Sequence, residues 1–258
     1  MTLRHHLDTL GLSHVRLMEK DETVSTSTDC RQEMELRPSA EPLLITAKKQ
    51  TGGRGRQGKQ FSSPEGGLYM SLAVRAETDF SHSVRVTSAA ATAVCRAVES
   101  VTGLSCEIKW VNDIYKNGRK LCGILTEAIN DYTVGITRAL IIGVGINLLD
   151  HPKDMNATDL LAETGQRTDR DRLCAAVTQE LLSVLALIKA GDCSYMEEYR
   201  RRSCVIGREI RLIHAEGERC GTASGIDDEG GLLVMFPDRH TETLTSGEIT
   251  LRFAETNQ

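Results

Sequence analysis

The sequence predicts an α+β protein that ends in a small all-β unit. Three observations lead to this prediction. Apolar runs of strand length recur between residues 42 and 149, and two longer segments carry apolar residues at helical spacing. From Gly207 onward, short strand-like runs alternate with turn residues, a pattern typical of a small barrel. The change of pattern predicts a domain boundary near residues 203–206.

The first predicted strand, "PLLITAKKQ" (Pro42–Gln50), leads into a glycine-rich loop, and "LYMSLAVR" (Leu68–Arg75) follows as a buried strand. A helix is predicted next, over residues 81–103. That segment opens with serine, is rich in alanine, repeats apolar residues at helical spacing and ends at Gly103, which is a typical helix stop.

Two apolar runs flank Asn117–Gly118, the strongest short-range hairpin signal in the chain. We expect the run before the turn to be one extended strand, in which side chains alternate between two faces. The residues expected on one of these faces are Lys109, Val111, Asp113 and Tyr115.

"ALIIGVGINLL" (Ala139–Leu149) predicts a central strand interrupted by two glycines. "RDRLCAAVTQELLSVLALIKAG" (Arg170–Gly191) has apolar residues at 3.6-type spacing and predicts an amphipathic helix that ends at its final glycine. The five short runs beyond Gly207 predict the strands of the C-terminal barrel.

The composition indicates an ordinary globular protein of 258 residues, with 40% hydrophobic and 26% charged residues. The net charge of −5 provides no general basic field for nucleic acid or membranes. The eight cysteines lack zinc-site spacing, so we expect no structural metal and a reducing, cytoplasmic location. The N terminus does not resemble a signal peptide, and no apolar run reaches the ~20 residues of a membrane-spanning helix.

The most informative loop is "GGRGRQGKQ", residues 52–60. Its glycines fit G-x-G-x-x-G, the dinucleotide fingerprint, and also G-x-x-x-x-G-K, the start of a P-loop. Both motifs require a helix directly after the glycines, whereas serines, a proline and two glycines lead here into a strand. The P-loop also requires Ser or Thr after the lysine, where this chain has Gln60. Neither motif is therefore supported.

A third interpretation depends on the residues between the glycines. The segment 43–64 contains five cations and no acid. Arginine side chains bind carboxylates and phosphates in a bidentate manner, and glycines let the backbone approach an anion closely. The loop therefore predicts a clamp for a small anionic ligand. The alternative is a flexible, solvated basic loop, and composition alone does not choose between the two.

Further segments resemble the biotin protein ligases. "STSTD", "QTGGRGRQG", "KWVND", "RKLCGILTE" and "GVGINL" occur in the order of that family, and "SGEITLR" is similar to the end of its C-terminal domain. The resemblance covers roughly residues 14–253. It implies a class II synthetase-like mixed sheet flanked by helices in residues 1–204, and an SH3-like β-barrel in residues 205–258.

The resemblance also implies a two-step reaction. Biotin is activated by ATP to biotinyl-5′-AMP with Mg²⁺ present, and biotin is then transferred to a lysine of a biotin carboxyl carrier protein. That carrier would belong to acetyl-CoA carboxylase or a related biotin-dependent enzyme. Only about 24 residues precede Ser25, too few for the DNA-binding domain of some family members. The resemblance thus implies a monofunctional, cytoplasmic ligase without DNA or membrane partners. The family includes both monomers and homodimers, so a homodimer is one of two expected oligomeric states.

The positions of this sequence that match the family's motifs are implied to have the functional roles of that family. The implied catalytic residues are Arg54, Arg56, Lys120 and Asp113, with Asp113 also a magnesium ligand. The residues implied to bind biotin are Ser25, Thr26, Ser27, Gln50, Gly53, Arg54, Gly55, Arg56, Lys120 and Gly123. The residues implied to bind the nucleotide are Arg56, Phe61, Lys109, Asn112, Asp113, Asn147 and Arg252.

Three positions depart from the family pattern. Val111 stands where proline is usual, Ser27 where asparagine is common, and Phe61 where tryptophan follows the loop. None of these changes removes a cation or carboxylate that the chemistry needs.

Three other functions account for parts of this pattern. A lipoate–protein ligase or related acyltransferase shares the implied fold, but the Arg-Gly-Arg loop and Lys-Trp-x-Asn-Asp favour biotin. A non-catalytic binding module is disfavoured by the retained arginines, lysine and aspartate. A nucleic-acid-binding protein is supported only by the basic loop, and aromatic residues for base stacking are 4% of the chain.

Overall fold

A seven-stranded mixed sheet forms the centre of the protein, with the strand order β1-β2-β3-β7-β6-β5-β4. The computed structural model describes residues 1–37, 39–76, 83–131, 133, 136–152, 156–214, 217–245 and 248–251. The strands of this sheet are β1 (Arg16–Thr23), β2 (Leu43–Gln50), β3 (Gly67–Arg75), β4 (Glu107–Lys109), β5 (Asp113–Lys116), β6 (Arg119–Asp131) and β7 (Ile136–Asn147). Only β1 and β2 pair in parallel within it, and the remaining neighbours are antiparallel.

Helices cover both faces of this sheet. They are α1 (Leu3–Thr9), α2 (Thr26–Leu36), α3 (Ser83–Thr102), α4 (Leu160–Thr164), α5 (Arg170–Lys189) and α6 (Tyr195–Arg202). Side chains alternate along β2, so Leu43 and Ile45 join the apolar cluster beneath α2 while Leu44 joins the large cluster with α3 and α5. Within the described residues, no helix combines the length and apolar character needed to cross a membrane.

The C-terminal unit is a second, five-stranded antiparallel sheet with the order β11-β10-β9-β8-β12. Its strands are β8 (Glu209–His214), β9 (Gly217–Ile226), β10 (Leu232–Met235), β11 (Thr241–Leu244) and β12 (Glu248–Leu251). The mixed, helix-flanked sheet and the small C-terminal sheet confirm the predicted architecture. The sequence also predicted β2, β3, β7, α3, α5 and these five strands correctly.

The predicted single strand before Asn117 is wrong. The chain instead turns at residues 110–112, and β4 and β5 pair with each other in antiparallel fashion, with Lys109 opposite Asp113. The turn is stable because Trp110 and Val111 are both buried, at 4% and 1% exposure, so these neighbours do not alternate between faces. The Trp110–Val111 peptide bond is cis.

The hairpin signal itself is confirmed. Asn117 and Gly118 both have positive φ, 50° and 73°, as a two-residue turn of type I′ requires. The turn joins β5 to the long strand β6, which carries Lys120 and Gly123 beside β5. This hairpin therefore brings the "KWVND" and "RKLCGIL" segments together at one end of the sheet.

Candidate functional site

A cavity opens where β6 and β7 meet the N terminus of α2 and the glycine-rich loop. All but two of the residues predicted from the sequence line it. Those that do are Ser25, Thr26, Ser27, Gln50, Arg54, Gly55, Arg56, Phe61, Lys109, Asn112, Asp113, Lys120, Gly123 and Asn147. Gly53 does not line this cavity and instead borders a second depression formed by the loop. Arg252 lies outside the described residues.

Hydroxyl and amide groups form one end of the cavity, where α2 begins. Gln50 accepts hydrogen bonds at Oε1 from the backbone N–H of Thr26 at 2.9 Å and from its hydroxyl at 3.1 Å. Gln50 Nε2 donates to Ser63 Oγ at 2.8 Å. Ser71, from β3, contacts the hydroxyls of both Thr26 and Ser27 at 2.8 and 3.0 Å. The network fixes these buried groups in place before any ligand binds.

The glycine-rich loop is a tight hairpin. Phe61 donates from its backbone to the carbonyl of Gly53 at 2.9 Å, and Gly55 donates to the carbonyl of Lys59 at 2.6 Å. A 3₁₀ turn, Arg56–Gly58, forms the tip. No helix follows the loop, which leads instead to β3. The structure therefore excludes both a dinucleotide fingerprint and a P-loop.

Gly53 is required by the stem of this hairpin. A Cβ atom there would lie 2.4 Å from the carbonyl oxygen of Phe61 and 2.6 Å from Ser63 Oγ, closer than any side chain allows. The glycine thus permits the two limbs of the loop to approach each other, so its observed role is to shape the loop.

The ring of Phe61 lies on two glycines of the central strands. Gly123 and Gly145 are direct partners across β6 and β7. A Cβ atom on Gly145 would come within 2.4 Å of the ring, and one on Gly123 within 2.9 Å. The aromatic side chain therefore forms a flat apolar wall in the middle of the cavity, and Lys120 Nζ lies 5.9 Å from the ring centroid.

An ion pair marks the other end of the cavity. Lys120 Nζ lies 2.7 Å from Asp113 Oδ1, and the side chains are 23% and 22% exposed, so the pair is accessible from the cavity yet partly shielded. The β5–β6 hairpin brings the two residues together, because Asp113 pairs with Gly123 and Tyr115 with Lys120. Burial, and secondarily the charge of Asp113, raises the pKa of Tyr115 to about 12, so its phenol stays neutral.

The two arginines of the loop contact different partners. Arg56 Nη1 donates to Asn112 Oδ1 at 3.2 Å, and Asn112 Nδ2 donates to the carbonyl of Ile124 on β6 at 2.8 Å. Arg54 Nη2 donates instead to Glu127 Oε2 at 2.8 Å. The loop therefore places Arg56 near the Asp113 end of the cavity and Arg54 on its flank.

Asn147 closes the far side of the cavity at the end of β7. It is 6% exposed, and its Nδ2 donates to the carbonyl of Thr158 at 2.9 Å. The bond ties β7 to the segment that continues toward α4. Ser63, Ser71 and Glu127 complete the contacts around the site and were not recognised from the sequence. Of these three residues, Ser71 carries the clearest signal in the sequence, because it is a polar residue within the apolar run of β3 and is buried in the structure.

Asp113 is the one carboxylate among the described residues that line the cavity. Over the same described ranges, no group of three or more His, Cys, Asp or Glu side chains is arranged to hold a metal ion. Mg²⁺ commonly binds through one or two carboxylates together with substrate phosphates. The residues present fit that kind of site, to which Asp113 would contribute one ligand.

Comparison with known proteins agrees with this geometry. Residues 21–147 match the biotin/lipoate A/B protein ligase family, and residues 205–252 match the biotin protein ligase C-terminal domain. Over 227 residues the chain is 34% identical to the bifunctional ligase/repressor BirA of Bacillus subtilis, covering 83% of this chain and 67% of that protein. Over 265 residues it is 28% identical to the biotin–[acetyl-CoA-carboxylase] ligase of Mycobacterium tuberculosis, covering 96% and 93%.

A solved structure shows the same fold. The biotin protein ligase from Aquifex aeolicus in complex with biotin and ATP superposes with a TM-score of 0.77 at 28% identity. The alignment covers 93% of this chain and 99% of that one. With both of its characteristic regions matched, this chain belongs to the biotin protein ligase family.

Proposed function

We propose that this chain is an ATP-dependent biotin protein ligase, which activates biotin to biotinyl-5′-AMP and transfers the biotin to a lysine of a carrier protein. The observation that carries the proposal is the cavity itself. One end presents buried hydroxyl and amide groups, the middle is a flat wall of Phe61 and glycines, and the other end holds the Lys120–Asp113 pair.

The hydroxyl end suits the ureido ring of biotin. That ring offers one carbonyl acceptor and two N–H donors, which require partners of both kinds. Ser25, Thr26 and Ser27 present hydroxyls that act as either donor or acceptor, and Gln50 orients the start of α2 toward the cavity. The ring of Phe61 covers Gly123 and Gly145, so its flat apolar face is the surface that the bicyclic ring of biotin would contact there.

The cationic end suits the first chemical step. An oxygen of the biotin carboxylate attacks the α-phosphorus of ATP, a new P–O bond forms, and pyrophosphate leaves with the electrons of the broken P–O bond. Carboxylate and triphosphate repel each other, so positioned cations lower the barrier. Lys120 and Arg56 line the cavity at this end, and we assign them this role. Mg²⁺ bound by Asp113 and the phosphates would neutralise further negative charge.

The second step requires that water be excluded. The amine of the carrier lysine attacks the acyl carbon of the adenylate, an amide forms, the C–O bond to phosphate breaks, and AMP leaves. Water competes for the same carbon, and a closed loop reduces that competition. The glycine-rich hairpin is the element of the site suited to this closure, because it forms one wall of the cavity.

The carrier we propose is a biotin carboxyl carrier protein of acetyl-CoA carboxylase, since relatives are biotin–[acetyl-CoA-carboxylase] ligases. Cytoplasmic location stays a prediction, favoured by eight cysteines that are all free thiols. Homodimer formation and the lack of operator binding also stay predictions. Sedimentation of the purified chain tests the first, and a gel shift on biosynthetic operator DNA tests the second.

The test of the proposal is a reconstituted reaction. The protein is incubated with ATP, Mg²⁺, biotin and a carrier domain, and biotin on the carrier is measured beside biotin-dependent exchange of pyrophosphate into ATP. We expect both signals with biotin. A parallel reaction with lipoate examines the alternative substrate. Absence of both transfer and exchange with biotin would contradict the proposal, and a stronger signal with lipoate would favour a lipoate ligase.

A further inference from the structure

Glu127 lies between two arginines beside the glycine-rich loop. Its Oε2 accepts from Arg54 Nη2 at 2.8 Å, and its Oε1 lies 3.6 Å from Arg31 Nη2. The carboxylate is 18% exposed, whereas Arg54 is 42% exposed. Both oxygens of one partly buried carboxylate are therefore committed to guanidinium groups, one from α2 and one from the loop.

The carboxylate is held by rigid parts of the fold. Glu127 belongs to the β6–β7 ladder, where it pairs with Ile141. Arg31 extends from α2 and also donates to the carbonyl of Ala128 at 3.4 Å. The loop contributes only Arg54 to this cluster. The sheet and α2 thus present a fixed carboxylate, and the loop is the part that docks onto it.

The loop contacts the β6 region at two separate points. Arg54 reaches Glu127, while Arg56 reaches Asn112, which is bonded to Ile124 on the same strand. Three residues of a strand separate these two points, or about 10 Å. Two contacts at that spacing fix both the position and the tilt of the loop, whereas a single contact would leave the loop free to rotate.

We propose that Glu127 is a positioning residue for the ligation reaction. It anchors the glycine-rich loop over the cavity through Arg54, so that Arg54 serves as the anchor of the loop rather than as a ligand of the adenylate phosphate. The inference rests on the proposed function only for its consequence in catalysis. Loss of the anchor releases biotinyl-5′-AMP to water before the carrier arrives.

The anchor is tested first without substrates, by limited trypsin digestion of the whole protein. The cuts followed by mass spectrometry are those after Arg56 and Lys59, at the tip of the loop. In Glu127→Gln and in Arg54→Gln we expect these cuts to accelerate about two- to fivefold, the factor expected for a partly exposed ion pair. Glu218→Gln is the matched control, because it removes another carboxylate–arginine pair, with Arg211 at 3.2 Å, in the C-terminal sheet and away from the loop.

The double variant Arg54→Gln/Glu127→Gln decides whether the two residues act together. If Glu127 acts through Arg54, the double variant is cut no faster than either single variant. Additive acceleration, or cutting at the wild-type rate in both single variants, would overturn the proposal. Arg54 is more exposed than Glu127, so we expect Arg54→Gln to disturb the fold less. This variant therefore still tests the anchor if Glu127→Gln lowers the melting temperature of the protein.

The catalytic consequence is measured as escape of the adenylate. With ATP and biotin but no carrier, Glu127→Gln should release biotinyl-5′-AMP about two- to fivefold faster than wild type, with biotin-dependent pyrophosphate exchange retained. If Glu127→Gln retained biotinyl-5′-AMP as well as the wild-type protein does, the positioning role would be overturned. Absence of exchange in the wild-type protein would instead contradict the proposed function, and the digestion result would still report on the anchor.

Discussion

Lys120 and Asp113 form the ion pair at the cationic end of the cavity, with 2.7 Å between Nζ and Oδ1. If Lys120 stabilises the charge that develops as biotin attacks ATP, its ammonium group contributes mainly in the transition state. We therefore expect Lys120→Ala to slow biotin-dependent pyrophosphate exchange by a factor of about 10²–10³, the range for removal of one such donor. The measurement is the exchange rate at saturating ATP and biotin.

Lys116→Ala is the matched control for this substitution. Lys116 belongs to the same hairpin, and its Nζ donates to the carbonyl of Ser105 at 2.9 Å on the exposed side. We expect this variant to keep the wild-type exchange rate. Equal exchange rates for Lys120→Ala and Lys116→Ala would show that Lys120 takes no part in the first chemical step.

At the residue scale, the ordered motifs identified side chains that the fold brings to one cavity. The contacts among these side chains were not predictable, because they join distant parts of the chain. Gln50 shows the difference. Its match to a biotin-binding position was recognised, whereas its bonds to Thr26 and Ser63, which shape the start of α2 and the loop stem, became apparent only in the structure.

At the scale of elements, long periodic segments were predictable and short ones were not. α3 and α5 have 20 residues each, enough for the helical pattern to be unambiguous. The β4–β5 turn was missed because Trp110 and Val111 look like a continuing strand. Their stabilising partners are Gly230, which accepts from the Trp110 indole at 2.9 Å, and Tyr199, which donates to the Val111 carbonyl at 3.0 Å. These partners lie 120 and 88 residues away in sequence.

A charged cluster joins helices α3 and α6. Glu198 accepts from Arg96 at 2.7 Å and from Arg202 at 2.8 Å. Burial alone would raise the pKa of Glu198, but the hydrogen bonds from the two arginines outweigh it, and the pKa lies below its usual value. A carboxylate whose pKa is lower in the folded state stabilises the fold at pH values above its unfolded-state pKa of about 4.3. This stabilisation is lost as the pH falls through the folded-state pKa.

Glu198→Gln tests this pH dependence. At neutral pH we expect the free energy of unfolding to fall by about 1–3 kcal/mol, because two charge-assisted hydrogen bonds are weakened. Below about pH 4 the difference from wild type should narrow, since the wild-type carboxyl group is then becoming protonated as well. Urea unfolding at the two pH values measures both quantities. A difference that stayed constant with pH would show that the ionised carboxylate is not what stabilises the helices.

At the scale of the whole molecule, the C-terminal sheet packs directly against the wall of the cavity. Trp110 lines the cavity and also donates to Gly230 in the turn before β10. Arg200 of α6 donates to the carbonyl of Ile226 at 2.7 Å, next to the same turn. One apolar cluster contains core residues of both units, including Ile108 and Leu232. The division into residues 1–204 and 205–258 stays a prediction, and the continuous core argues that the two parts unfold together.

Gly230→Ala tests how far this docking supports the site. Gly230 has φ +85°, and a Cβ atom there would lie 2.7 Å from Ser88 Oγ on α3. Gly207→Ala is the control, because Gly207 has a similar φ of +80° but nothing within 4 Å. Both variants carry backbone strain, so the difference between them isolates the contact. We expect Gly230→Ala to lower the free energy of unfolding by about 1–3 kcal/mol more and to raise the KM for ATP by displacing Trp110. Equal stability and equal KM in the two variants would show that the cavity is formed independently of the C-terminal sheet.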